Sequence, residues 1–236
     1  MVPATGATMN EANSLTSFLQ AGWRDHASQT NEVAARLFRA IPSVNDETGL
    51  IDLAHLAQHV YGEHLAAWGD GLAFLAALGQ SPAYHAEGAS GQAVQRWRAS
   101  LLLAGNIEDS RAAFSPSDQI RIGANAAAAL ALRDASRGMS LLQEALTEAQ
   151  RAALSDQDPA HRALAITGNN IASALEEKPE HTPQERALMI AASYAGREYW
   201  QRAGTWLGCV LKRERRVRKR RKKRRRNEPP PATERC

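Results

Sequence analysis

Ahead of three apolar-periodic stretches this chain sets a hydroxyl or carboxylate residue directly before a proline: Ser115-Pro116, Asp158-Pro159 and Thr182-Pro183. A side-chain oxygen at that position accepts a bond from the free backbone N–H groups that open a helix. The proline that follows has a helical φ already and no N–H to leave unpaired. Thr182-Pro183-Gln184-Glu185 adds the glutamate of a capping box. With the apolar spacing behind them, these starts predict helices over 116–133, 159–176 and 183–203, and a further one over 136–153. Consecutive helices joined by short turns lie antiparallel and adjacent. Two hairpins follow, 116–133/136–153 and 159–176/183–203.

Apolar spacing carries the same reading into the first half, with helices over 11–22, 29–40, 50–68, 72–78 and 92–104. Gly22-Trp23-Arg24-Asp25 and Gly69-Asp70-Gly71 are read as turns. The pairs 11–22/29–40 and 50–68/72–79 leave 92–104 as an irregular extra. Alanine comes in long runs and few stretches alternate at period two, so the fold class is all-α, with about nine helices. Gly123-Ala124-Asn125-Ala126-Ala127-Ala128-Ala129-Leu130 and Gly168-Asn169-Asn170-Ile171-Ala172-Ser173-Ala174-Leu175 agree at five of eight positions, each in the first helix of its hairpin. Such self-similarity marks a stacked supersecondary unit. Asn125 and Asn170 share one position in it and are expected to fix the stacking register before any ligand role.

The pattern resembles the tetratricopeptide repeat. Tyr61-Gly62 followed by Gly69-Asp70, and Ala165-Ile166-Thr167-Gly168-Asn169, are similar to that family's first-helix consensus, although the 45-residue period exceeds its usual length of about 34. The resemblance covers roughly residues 10–203 and implies a right-handed superhelix of hairpins. It further implies a groove lined by the first helices that takes a peptide or a partner helix. The groove positions it implies fall on His59 and Glu63 in one unit and on Arg162 and Asn169 in another, with Ala124 in a third. The expected function is a non-catalytic protein–protein interaction scaffold, with oligomeric state left open.

Charge is segregated. Residues 1–208 hold 15 Arg/Lys against 22 Asp/Glu, a balance of −7, and residues 209–236 hold 14 against 3, a balance of +11. The basic run comprises Lys212, Arg213, Arg215, Arg216, Arg218, Lys219, Arg220, Arg221, Lys222, Lys223, Arg224, Arg225 and Arg226. That density self-repels and predicts a disordered tail over 208–236, following a disordered segment over 1–9 and a helical domain over 10–207. The tail offers an alternative function, sequence-blind and salt-sensitive nucleic-acid binding, without an aromatic residue for base stacking. A helical period restarts at Thr205-Trp206-Leu207 and stops at Leu211, which fits a genuine tail or a change of reading frame equally well.

Candidate chemistry is sparse. His55, His59 and Glu63 recur every four residues along one helix face, a spacing that can ligate zinc. No further partner with a matched motif accompanies them, so no metal and no cofactor are expected, and His64 is read as a hydrogen-bonded core histidine. Arg96-Trp97-Arg98 is read as a buried indole between arginines that reach water. No nucleophile elbow, phosphate loop or His-Glu-x-x-His occurs, so no catalytic residue is assigned. Cys209 and Cys236 have no metal or redox spacing. With no secretory signal at Met1–Ser14 and no long apolar run, a cytoplasmic location without membrane contact is expected. The arginine- and alanine-rich bias resembles that of a GC-rich bacterial genome.

Overall fold

The computed structural model describes residues 7–203, with side chains from Leu15 onward. The basic run and the restart at Thr205 lie outside the described residues. Among the described residues there are nine α-helices and no strand: α1 (Ala7–Asp25), α2 (Thr30–Ala40), α3 (Glu47–Gln58), α4 (Trp68–Leu78), α5 (Ala89–Ala104), α6 (Pro116–Leu130), α7 (Ala135–Arg151), α8 (Pro159–Glu176) and α9 (Pro183–Arg202). A π-helical turn, His59–His64, continues α3. No described helix is long and apolar enough to cross a membrane.

The expected caps form. Ser115 accepts from the Asp118 N–H at 3.2 Å, and Asp158 accepts from that of Ala160 at 2.8 Å. Thr182 and Glu185 close a reciprocal capping box at 3.2 and 2.9 Å. Two more caps sit at helix starts that the sequence reading places slightly late. Asp134 accepts from the Arg137 N–H at 3.0 Å and Asp46 from the Gly49 N–H at 2.7 Å. Each contributes on the order of 1 kcal/mol.

α6/α7 and α8/α9 are antiparallel hairpins packed side by side around Ile122, Ala126, Leu142, Ile171, Leu175 and Leu188. Small residues set their spacing. A Cβ on Gly168 would fall 2.6 Å from both the Ala192 carbonyl oxygen and the Gly196 nitrogen, so α8 and α9 cross backbone against backbone. Gly123, its counterpart in the repeated octapeptide, has its nearest neighbour, the Ala145 Cβ, at an ordinary 3.5 Å. The shared sequence therefore serves two different contacts.

The first half departs from the expected pairing. α3 packs most extensively on α5, not on α4. α5 is no irregular extra: ten of its sixteen residues are buried. It carries Val94 and Leu101 into a core with Leu37, Leu50, Leu53, Leu56 and Phe74, and Ala99 and Leu103 into the core of the hairpins. The Arg137 guanidinium donates to the carbonyls of Leu103 and Ala104, closing the C-terminus of α5 from the first turn of α7.

Two expected turns lie elsewhere. α1 runs through Gly22-Trp23-Arg24-Asp25 and ends at Asp25. Gly22 belongs to a helix contact, since its Cβ would fall 2.5 Å from the Leu56 Cδ2. The expected turn at Gly69-Asp70-Gly71 is the first turn of α4, and the chain reverses one step earlier, with Ala66 at φ 53°. Gly71 is small because a Cβ there would meet the Leu101 Cδ1 at 2.8 Å. In both places glycine marks close packing and not a reversal.

Candidate functional site: a histidine cluster at the π-turn

The π-turn decides which side chains meet. In an uninterrupted α-helix, His59 and His64 would point about 140° apart around the axis. Here the Leu65 N–H donates to the Val60 carbonyl at 3.0 Å and the Ala67 N–H to that of Tyr61 at 2.8 Å, so the turn is widened. Residues five apart then share a face. The two rings stand with centroids 4.8 Å apart and Nε2 atoms 3.2 Å apart. π-turns inside α-helices recur at functional sites.

His26 completes a triangle. It follows the last residue of α1, and its ring centroid lies 4.8 Å from that of His59 and 5.1 Å from that of His64. Its Nδ1 lies 2.7 Å from the Trp23 carbonyl oxygen, so Nδ1 carries the proton and Nε2 the lone pair. His59 is oriented in the same manner, with Nδ1 3.0 Å from Oε1 of Glu63, whose other oxygen accepts from Asn170 of α8 at 3.4 Å. The Trp23 ring backs the group at 5.5, 5.0 and 5.3 Å from the rings of His26, His55 and His59. Arg133, beyond α6, donates to the His64 carbonyl at 3.1 Å. Both halves of the molecule therefore converge here.

Electrostatics disfavour a charge on His26 and His64. Burial, and next the neighbouring His59, push His64 down to about 4, and the same two causes lower His26. Burial works to raise the Glu63 carboxyl, but the charge and hydrogen bond of His59 outweigh it and hold Glu63 below the usual carboxylate range. His26 and His64 are thus neutral imidazoles near an ionised carboxylate at neutral pH.

The residues singled out in the sequence are distributed unevenly. His59 and Glu63 meet within the cluster, and His59 is buried, not lining an open groove. Arg162 is exposed in the first turn of α8, and Asn169 is turned toward Gly196 of α9, with which it packs. Asn170 reaches across to Glu63, a contact of the kind expected of a register-setting residue. His55 stacks flat on Trp97 at 5.7 Å and 3°, apart from the triangle. Arg96 pairs with Asp118 at 3.4 Å. Spacing at helical period cannot single out His26, which lies in the turn after α1, nor pair His59 with His64. One signal was available: four of the seven histidines fall between residues 26 and 64.

A second surface lies on α9. Ile190 and Tyr194 are 50% and 68% exposed on one helix face, with exposed Arg186 and Arg197 at either end. No protein-family model matches this chain, nor does any curated protein or solved structure.

Proposed function

We propose that the chain is a non-catalytic protein–protein interaction scaffold, built as an array of tetratricopeptide-like helical hairpins that binds a helix or peptide of another protein. The observation that carries this reading is the outer face of α9. Its inner face, with Leu188, Ala192, Ala195 and Tyr199, is spent on the core. The outer face still presents Ile190 and Tyr194 one turn apart between two arginines, an exposed apolar pair flanked by positive charge. An amphipathic helix with an apolar stripe and acidic flanks fits that face. A photo-crosslinking residue at position 194, compared with one at the exposed Gln143 of α7, tests it in cells. A discrete adduct at 194, lost in Ile190→Glu and absent at 143, is expected. The same adducts at both positions would refute the reading.

The charge segregation supports a second reading, nucleic-acid association through Lys212–Arg226. Binding to random duplex DNA should then weaken steeply with salt and vanish when residues 212–236 are removed. Binding unchanged by that truncation would end it.

A further inference from the structure

We propose that His26, His59 and His64 bind one divalent first-row transition-metal ion, with zinc as the type ion, through their three Nε2 atoms. One ligand atom from each of the three residues falls within a sphere where all separations are at most 4.8 Å. Two imidazole nitrogens on a tetrahedral zinc, with bonds of about 2.0–2.1 Å, stand about 3.3 Å apart. The Nε2 atoms of His59 and His64 are 3.2 Å apart already, so only His26 has to close in.

The surroundings are those of a metal site and not merely of packed rings. Ligating histidines donate their other N–H to a carboxylate or a backbone carbonyl, which fixes the tautomer and the ring orientation. His59 does so to Glu63 and His26 to Trp23, and Glu63 is itself held by Asn170. Without metal, the proton between the two facing Nε2 atoms belongs to His64, because Glu63 claims the Nδ1 proton of His59. Binding moves the His64 proton to its Nδ1, and all three histidines ligate as neutral imidazoles. Nitrogen donors without thiolate favour zinc, copper, nickel or cobalt over magnesium or calcium. Three ligands leave a fourth position for water or for a group brought by a partner. Glu63 is a positioning residue and not a ligand, and His55, stacked on Trp97, stays outside.

The test uses the full chain without an affinity tag, stripped by chelator and titrated with Co(II) and then Zn(II). One ion per chain is expected, with visible Co(II) bands of four-coordinate intensity that Zn(II) displaces. His59→Ala should abolish this signal. Glu63→Gln should weaken affinity about 10- to 100-fold while leaving the stoichiometry at one. His181→Ala, remote from the cluster, should change nothing. Thermal unfolding of each variant separates loss of ligand from loss of fold. If His59→Ala fails to fold, the milder His26→Gln replaces it, with at least a ~10-fold loss expected. Absence of stoichiometric Co(II) binding by the folded wild-type chain would overturn the proposal. So would full affinity in a folded His26→Gln/His64→Gln double variant.

Discussion

Every helix from α6 to α9 begins on a side-chain cap, whereas of α2 to α5 only α3 does. The second half states its helix boundaries locally and then stacks regular hairpins. The first half has weaker boundaries and relies on contacts between distant segments: Trp23 on the histidines, α5 under α3, and Arg137 on the end of α5. The irregular half is also where a π-turn and neutral imidazoles gather. Local regularity suits a scaffold, and a ligand cluster needs side chains brought together from different elements.

The largest expected effect lies in the regular half. Gly168→Ala forces a methyl into the backbone of α9 and should destabilise the chain by about 3 kcal/mol in denaturant unfolding. A loss below ~0.5 kcal/mol would mean that the α8–α9 crossing is looser than described. Next comes the irregular half. At zinc a hundredfold above its dissociation constant, mass action should add about 2.7 kcal/mol of stability. The gain in amide-exchange protection should concentrate in the end of α1 and the π-turn rather than in α9; uniform protection would erase the contrast between halves.

Smaller effects sharpen the role of the caps. Thr182→Ala should cost about 1 kcal/mol by thermal unfolding. Its partner Glu185 is held below the usual carboxylate range by the hydrogen bond from Lys178 and then by the Thr182 N–H. Because its folded value is depressed, its contribution is present above the unfolded value of about 4.3 and is lost as pH falls through the carboxylate range. Glu185→Gln should flatten that part of the acid-unfolding curve, and an unchanged curve would remove the carboxylate from the account. Smallest of all, Gly123→Ala has room for its methyl and should be neutral or stabilising by up to about 1 kcal/mol. A large loss there would show that the two repeated glycines serve one purpose after all.

Legibility in the sequence follows the same division. Ser115, Asp158 and Thr182 announce helix starts because a cap and a following proline act within a few residues. Gly22 and Gly71 read as turns because composition cannot tell a glycine that reverses the chain from one that admits a neighbouring leucine. His64 falls in register with Val60 and Trp68 only if the helix stays α. The widened turn changes that register after residue 59, so no count at helical period could bring His64 to His59. His26 is set by the packing of Trp23, a tertiary event with no local signature.

The π-turn also bears on how such a cluster could arise in a gene. A π-turn closes its hydrogen bonds over one residue more than an α-turn does. A single codon inserted between two histidines four apart in a plain helix is therefore absorbed by the turn, which keeps the two rings on one face when they stand five apart. The reverse change is as small. Deleting one residue between Val60 and Glu63 should let α3 run on as an ordinary helix, with its caps and core intact, His64 four residues from His59 and still on its face, and Glu63 drawn in from four residues to three. A lineage could gain or lose the π-turn in one step while keeping the two rings together.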